Sequence, residues 1–195
     1  MKQIEYKQVD RTYFPQYDRI PMRLWVSSCY RMDKIDRGLG GFALVEVPVA
    51  VPYCKDFCIG NDEHVSRWER WDITHWAFFM AFDGARPVGA ATVASRTQGV
   101  NMLAGRDDLA VLWDLRVDEA YKRRGIGQKL MHMALDWSRE QGLQQMKIEC
   151  QNTNVPACKF YHKQGAVLSE VNEYAYYHDL EQFRHEIQLI WFINL

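Results

Sequence analysis

The stretch Tyr121-Lys122-Arg123-Arg124-Gly125-Ile126-Gly127 decides how the centre of this chain folds. An apolar run from Leu109 to Val117 precedes it and predicts a strand. A helical spacing of apolar residues follows it, at Ile126, Leu130, Met133, Ala134 and Trp137. A strand followed by a basic glycine loop and then by the start of a helix can bind an anion. Glycine lets a ligand come close to the backbone, and the free N–H groups at the helix start attract negative charge.

The glycine loop predicts a grip on the pyrophosphate of a nucleotide-like cofactor. Lys122, Arg123 and Arg124 add positive charge beside the helix start. The loop is not a Walker A loop, because no Gly-Lys-Ser/Thr follows, and it lacks the Gly-x-Gly-x-x-Gly of dinucleotide sites. The competing interpretation is an ordinary strand-to-helix turn with solvated arginines.

A second block lies downstream of the loop. Met146 to Cys150 alternates apolar and polar residues, as a half-buried strand does. The segment Asn154-Val155-Pro156-Ala157-Cys158-Lys159-Phe160-Tyr161-His162-Lys163-Gln164-Gly165 then predicts a short helix. Pro suits its first turn and Gly its end. The pattern Asn-x-x-Ala-x-x-x-Tyr-x-x-x-Gly after such a loop resembles the GCN5-related N-acetyltransferases.

The resemblance covers residues 76–171 and implies a fold and a cofactor. Strands mixed with helices already indicate an α/β or α+β class. The resemblance implies a mixed, mainly antiparallel central sheet, splayed at the cofactor site and flanked by helices. The wording of residues 151–158 and 190–192 is similar to the streptothricin acetyltransferases. The cofactor implied is acetyl-CoA, with no metal.

The resemblance also assigns the cofactor-binding residues. They are Leu115, Arg116, Val117, Lys122, Arg123, Arg124, Gly125, Ile126, Gly127, Gln128, Asn154 and Tyr161. A simpler role for Asn154 is that of a helix N-cap. The chain departs from the family at Lys122, where Gln or Arg is usual, and at Ala166, where Phe is usual.

Three residues are candidates for catalysis. Tyr161 stands where the family has the acid that protonates the departing thiolate, although a helical tyrosine is more commonly a core residue. Trp113 and Asp114 occupy strand positions where many relatives carry Glu, so the general base is open. Asp114 and Glu149 are the candidates. Both could instead be strand carboxylates that face solvent, or a water chain could reach a more distant carboxylate.

Length and composition point to one domain over residues 1–195. We expect residues 1–75 to form the acceptor side, 76–171 the acetyl-CoA core and 172–195 the last strands. The net charge of −1 gives no field that would attract nucleic acid. No apolar run approaches the roughly 20 residues of a membrane helix. A polar N-terminus and five scattered cysteines predict a cytoplasmic protein with reduced thiols.

The flanking elements are predicted from apolar patterning. We expect a strand over residues 1–10, a helix over Asp18 to Asp36, and a strand over Phe42 to Val51 that ends at Pro52. The connection from Lys55 to Ile73 has no clear pattern apart from a helical segment around Trp68. Further strands are predicted at 76–82, 88–96, 166–177 and 187–193, the first two as a hairpin.

These observations predict an acetyl-CoA-dependent N-acetyltransferase that acts on a primary amine of a small molecule, with a streptothricin-type antibiotic as the candidate acceptor. The alternatives are a protein lysine or N-terminal acetyltransferase and a non-catalytic acyl-CoA-binding sensor. Cys54-x-x-x-Cys58 has no second pair at zinc-site spacing, so we expect no metal centre. A homodimer is left open.

Overall fold

The structure is a computed structural model that describes residues 3–58, 64–179, 181 and 183–195. The strands are β1 (Glu5–Val9), β2 (Arg23–Lys34), β3 (Phe42–Asp56), β4 (Ala77–Asp83), β5 (Arg86–Ser95), β6 (Leu109–Val117), β7 (Gln145–Gln151), β8 (Val167–Asn172) and β9 (Gln188–Asn194). The α-helices are α1 (Phe14–Tyr17), α2 (Ile126–Glu140) and α3 (Val155–Lys163).

Seven strands form one sheet in the order β1-β4-β5-β6-β7-β9-β8, and β2 pairs with β3 alone. The pairs β1–β4, β4–β5 and β5–β6 are antiparallel, whereas β6–β7 is parallel. A mixed, mainly antiparallel sheet flanked by helices was expected, and this fold class is confirmed.

The described residues fall into two compact units. The first lies within Met1–Met22, Phe57–Ile148 and Phe192–Leu195, and the second lies within Arg23–Asp56 and Glu149–Trp191. The single domain over residues 1–195 stays a prediction. The cradle loop belongs to the first unit, and the Tyr161 helix belongs to the second.

The core of the first unit lies where α2 covers the sheet. Strands β4 and β5 are buried almost throughout. The apolar stripe of α2 buries Ile126, Leu130, Met131, Ala134 and Leu135. Gly89 on β5 permits this packing, since a Cβ there would lie 2.9 Å from Ile126 Cγ2 and 3.1 Å from Leu130 Cδ1.

The parallel β6–β7 ladder is short. It joins Leu109–Leu112 to Gln145–Ile148 and goes no further in the described residues. Towards β5, the register shifts so that Trp113 is one extra residue on β6, between the partners of Val93 and Thr92. Such a β-bulge bends a strand and is common beside active sites. The parallel ladder thus ends at Leu112, immediately before the bulge residue, and the splay at the cofactor site stays a prediction.

The predicted helix from Asp18 to Asp36 is wrong. Most of this segment is β2, in which Leu24 and Val26 are buried between exposed neighbours. That alternation has the two-residue period of a strand. The strand is then fixed by pairing with β3, from Arg23 opposite Asp56 to Lys34 opposite Phe42.

The strand predicted over Phe42 to Val51 is longer than expected, because β3 continues through Pro52 to Asp56. Proline interrupts a ladder, but it is tolerated at a bulge. The register shifts between Val26 and Ser28, whose partners are Tyr53 and Pro48, and Pro52 lies inside the shifted stretch.

The remaining predictions agree with the structure in part. The hairpin is present as β4 and β5, with Asp83 opposite Arg86. A 3₁₀ turn at Val65–Arg70 lies in the unclear connection, of which residues 59–63 fall outside the described residues. The strand predicted to reach Tyr177 ends at Asn172, and turns follow it.

Candidate active site

The basic loop forms the start of α2 in the first unit. Lys122, Arg123 and Arg124 are exposed, and Gly125 is the N-cap of the helix with φ +79°. That left-handed conformation favours glycine. The first turn of α2 contains no acidic residue, and Gly125 has no side chain with which to cap the free N–H groups.

The space above this helix start is suited to an anionic ligand. A Cβ at Gly125 would meet no protein atom within 4 Å, and a Cβ at Gly127 would meet Val117 Cγ2 at an ordinary 3.6 Å. The side chain of Ile126 is buried, so this residue offers a ligand only its backbone N–H. Backbone donors, the helix dipole and three cations together fit a pyrophosphate.

Tyr121 anchors the loop, a role that the sequence did not reveal. Its hydroxyl donates a hydrogen bond of 2.8 Å to Asp83 Oδ2. The guanidinium carbons of Arg86 and Arg124 lie 5.3 Å and 4.9 Å from the centre of its ring. Arg124 is thus held beside the helix start by a cation–π contact.

Two residues assigned from sequence, Asp114 and Arg116, pair with each other on β6. Each is only 3% exposed, and Arg116 Nε lies 2.7 Å from Asp114 Oδ2. The Arg116 side chain is therefore committed to this ion pair, and its backbone is the part that remains suited to a cofactor. Leu115 and Val117 are half-buried on the opposite face of the strand.

Tyr17 on α1 completes this network, although the sequence gave no sign of it. Its hydroxyl donates to Asp114 Oδ2 at 2.5 Å and lies 2.8 Å from Thr92 Oγ1. Burial, and then the negative charge of Asp114, raise the pKa of Tyr17 well above its usual value. Asp114 Oδ1 is buried and has no hydrogen-bond partner among the described residues.

The bulge residue Trp113 packs in an aromatic cluster. Its ring centre lies 5.0 Å from that of Trp71, 5.2 Å from that of Trp76 and 6.4 Å from that of Trp68. Edge and tilted contacts of this kind stabilise a core beyond the area that they bury. Where many relatives carry a carboxylate, this chain therefore has a packing residue.

In the second unit, the residues between β7 and α3 make specific hydrogen bonds. Asn152 donates to the Tyr30 carbonyl at 2.9 Å and accepts from the Ile187 N–H at 2.8 Å. Thr153 donates to Glu186 Oε1 at 2.9 Å. Asn154 caps α3, since its Oδ1 accepts from the Ala157 N–H at 3.2 Å. The capping role is observed, and the cofactor contact of Asn154 stays a prediction.

Tyr161 lies on the buried face of α3, together with Val155 and Cys158. It is 8% exposed, and its ring centre lies 5.5 Å from that of Phe160 in an edge contact. The alternative role as a packing residue is consistent with this burial. Its role as an acid stays a prediction.

Glu149 on β7 has a tyrosine partner. The Tyr176 hydroxyl donates to Glu149 Oε1 at 2.7 Å, and Gln151 Nε2 donates to the same hydroxyl oxygen at 3.2 Å. Burial, and then the charge of Glu149, raise the pKa of Tyr176 above its usual value. The phenol therefore stays protonated and continues to donate to the carboxylate at neutral pH.

The second unit contains a buried ion pair between Lys55, near the end of β3, and Glu186. Lys55 Nζ lies 2.5 Å from Glu186 Oε2 and 4.7 Å from the centre of the Phe183 ring. Burial lowers the pKa of Lys55 in spite of the opposing charge of Glu186. Both carboxylate oxygens of Glu186 accept a hydrogen bond, one from Lys55 and the other from Thr153.

The part of the chain that the structure describes contains neither a membrane-spanning helix nor a cluster of metal-ligating side chains. None of its helices is both long and apolar enough for a transmembrane span. The same residues contain no cluster of three or more His, Cys, Asp or Glu that could hold a metal ion.

Comparison with known proteins defines the class of this one. Residues 52–166 match the Acetyltransferase (GNAT) family. Because this match spans more than half of the chain, the protein belongs to that family, and the resemblance drawn from its motifs is confirmed.

Among individual proteins, the chain is similar in sequence to streptothricin acetyltransferases. The chain is 29% identical over 85 residues to streptothricin acetyltransferase A of Bacillus subtilis strain 168, covering 43% of this chain and 47% of that protein. It is 26% identical over 149 residues to the streptothricin acetyltransferase of Streptomyces lavendulae, covering 76% and 75%. The chain spans about half the length of the first of these relatives.

Solved structures share the fold. One is nourseothricin acetyltransferase, with a TM-score of 0.75, 22% identity and 98% of each chain covered. Another is a protein of Bacillus anthracis strain Ames assigned as a streptothricin acetyltransferase and solved with acetyl coenzyme A. Its TM-score is 0.76, with 20% identity and 99% and 100% of the two chains covered. At these identities the likeness concerns the fold.

Proposed function

We propose that this protein is an N-acetyltransferase that moves the acetyl group of acetyl-CoA to a primary amine of a small molecule. The observation that carries the proposal is the open, uncapped start of α2 at Gly125, flanked by three exposed cations. Membership of the GNAT family supports acetyl-CoA as the ligand of this anion cradle. The related protein solved with acetyl coenzyme A supports the same ligand.

The loop would hold the pyrophosphate of the co-substrate. The N–H groups of Ile126, Gly127 and Gln128 are its backbone donors, and the nearby Lys122, Arg123 and Arg124 supply charge. The strand backbone from Leu115 to Val117 would pair with the pantetheine arm. Among these side chains, that of Arg116 takes no part, because it is buried against Asp114.

The reaction requires two proton movements. An alkyl amine has a pKa of about 10.4 and is mostly ammonium at neutral pH, so it must lose a proton before it attacks. The departing CoA thiolate must gain a proton. We assign the second role to Tyr161, because a phenol is a neutral donor at this pH. Asp114 and Glu149 are the candidates for the first role.

The acceptor that we propose is a streptothricin-type antibiotic. The support comes from the relatives, which are named as streptothricin and nourseothricin acetyltransferases. We also propose a cytoplasmic location, since the five cysteines are free thiols. A homodimer stays a prediction.

Thiol release from acetyl-CoA tests the proposal. The full chain is incubated with acetyl-CoA and a panel of amines that includes streptothricin, nourseothricin, polyamines, an aminoglycoside and a lysine peptide. Turnover with a streptothricin and not with the peptide supports the proposed acceptor class. Turnover with the peptide alone assigns a protein acetyltransferase instead. No turnover, together with a clear thermal shift by acetyl-CoA, indicates a sensor.

A further inference from the structure

A small cavity of the second unit contains none of the residues assigned to the reaction. Its volume is about 290 Å³, and it is lined by β2, by Glu46 on β3 and by the start of α3. Cavities that enclose a whole drug-sized ligand run from about 300 to 1,000 Å³. This cavity is therefore suited to one arm of a ligand and not to a large molecule.

An irregularity between β2 and β3 brings two consecutive serines to this cavity. Side chains of a regular strand alternate between its two faces, so Trp25 and Ser27 would share a face that excludes Ser28. The register shifts between Val26 and Ser28, and both serines line the cavity together with Trp25. Ser28 Oγ donates to Glu46 Oε1 at 2.9 Å. The bulge thus supplies a hydrogen bond that orients the carboxylate.

The Glu46 carboxylate is held in place, whereas its cationic partner can leave. Ser28 engages Oε1, and Lys159 Nζ on α3 lies 2.6 Å from Oε2. The Lys159 side chain is 58% exposed and has a flexible alkyl stem. An exposed ion pair of this kind contributes little to stability, so the lysine can move into solvent at low cost. Its departure would free Oε2 of a carboxylate that lines the cavity.

The groups around the cavity favour a cation over an anion. Trp25 is 58% exposed, and the face of an indole ring attracts cations. The start of α3 offers few donors to an anion, because Pro156 has no N–H. The N–H groups of Ala157 and Cys158 already donate to the side chain and the carbonyl of Asn154.

We propose that this cavity binds a primary alkylammonium group, which takes the place of the Lys159 ammonium at Glu46 Oε2. The inference deepens the proposed function and rests on it, since the ligand would be an amine of the acceptor. The hydrogen bond with Glu46 raises the pKa of Lys159, and an ammonium in the same place would likewise stay protonated. It would have no lone pair with which to attack acetyl-CoA. The acceptor is therefore a diamine or polyamine that is acetylated on a different amine.

Binding of butylammonium to the full chain tests the site directly, because this cation has the alkyl length of a lysine side chain. The readout is the NMR shift of the Trp25 indole N–H, assigned with Trp25→Phe. Glu46→Gln should weaken binding about tenfold or more, since hydrogen bonds between charged groups are the strong ones. Asp33→Asn is the matched control, and its affinity should be unchanged. Asp33 is an exposed carboxylate of β2 that pairs with Arg31 and does not line the cavity.

Lys159→Met distinguishes a cation site from an anion site. Removal of the competing ammonium frees the carboxylate, so butylammonium should bind roughly two- to fivefold more tightly, the factor that an exposed ion pair represents. An anion would lose its cationic partner in this variant, which butyrate tests as the second probe. The ammonium site is refuted if butylammonium binds Lys159→Met no better than it binds the unmodified protein, or if butyrate binds in its place.

Kinetics with the acceptor found in the thiol-release panel test the role in the reaction. Glu46→Gln should raise the KM for that amine about tenfold, while kcat and the KM for acetyl-CoA stay within about twofold. A merely structural change would alter all three constants. An unchanged KM for the amine, in a variant that has lost butylammonium binding, would overturn the assignment of the bound group to the acceptor. Failure of the proposed function differs from both outcomes, because the unmodified protein would release no thiol with any amine while butylammonium still shifted the Trp25 signal.

Discussion

Gly89 on β5 and Ile126 on α2 are in such close contact that a Cβ on Gly89 would come within 2.9 Å of Ile126 Cγ2. Because real Cβ atoms do not approach so closely, the absence of a side chain at Gly89 sets the distance between the helix and the sheet. Ile126 is also the first residue of α2, so this contact fixes where the cradle begins.

Gly89→Ala should therefore destabilise the first unit. The added methyl group overpacks a buried contact, which costs about 1–3 kcal/mol. Chemical denaturation measures the loss. The matched control is Gly127→Ala, whose Cβ meets its nearest protein atom at 3.6 Å. Equal stability of the two variants would show that α2 moves away from β5 without cost.

Gly127→Ala should weaken acetyl-CoA binding while the fold is retained. Alanine is preferred over glycine within a helix by about 1 kcal/mol, so the melting temperature should hold or rise. The new methyl group projects near the proposed pyrophosphate site, and we expect roughly tenfold weaker binding, or ~1.4 kcal/mol. Calorimetric titration with CoA gives the constant. An unchanged Kd would place the pyrophosphate elsewhere.

Tyr161→Phe tests the proposed acid. Removal of one hydroxyl should lower kcat by roughly 10²-fold, since general acids contribute about that factor or more. The dissociation constant of acetyl-CoA should change little, because the phenol acts on the departing sulfur. Phe160→Leu, which alters the neighbouring ring and leaves the phenol in place, is the control. A Tyr161→Phe enzyme with full kcat would remove Tyr161 from the chemistry.

Removal of one partner of the Lys55–Glu186 pair should lower the free energy of unfolding much more than replacement of both partners by apolar residues. Lys55→Met leaves a buried carboxylate without its cation, which costs about 3–5 kcal/mol. The double variant Lys55→Met/Glu186→Leu removes both charges and should recover most of that loss. Denaturation of the single and double variants gives the coupling energy. Additive losses would contradict a coupled pair.

Tyr17→Phe should destabilise the first unit by about 1–3 kcal/mol, because Asp114 loses a buried hydrogen-bond donor. Tyr13→Phe is the control on the same short segment. The Tyr13 hydroxyl accepts from Lys7 Nζ at 3.0 Å in a partly exposed contact, and its loss should cost little. If both variants are equally stable, solvent replaces the Tyr17 hydroxyl.

The central elements were predictable because their signals are local. The observed β6 has the predicted bounds, and α2 starts at the residue that the glycine loop indicates. The Asn154 cap and the buried position of Tyr161 also agree with the short helix expected there. In each case, residues within a few positions decide the outcome.

The predictions that failed depend on distant partners. The β2 segment becomes a strand through pairing with β3, and its exposed Trp25 weakens the alternation that would have indicated this. Tyr17 and Tyr176 bind carboxylates that lie 97 and 27 residues away in the chain. No local pattern marks such contacts, so the sequence offers Asp114 and Glu149 as candidates for the base without revealing their partners.

Two buried cysteines of the second unit offer a chemical probe of local opening of α3, the helix that carries Tyr161. Cys150 Sγ on β7 and Cys158 Sγ on α3 lie 3.5 Å apart, both buried, whereas Cys54 is exposed. The hydrogen bond with the Cys158 thiol, and then burial, raise the pKa of Cys150, which makes it a slow nucleophile towards a labelling reagent. Modification of the buried pair must wait until α3 lifts from β7. Its rate therefore reports local opening of that helix, and acetyl-CoA should slow it if the ligand holds α3 closed.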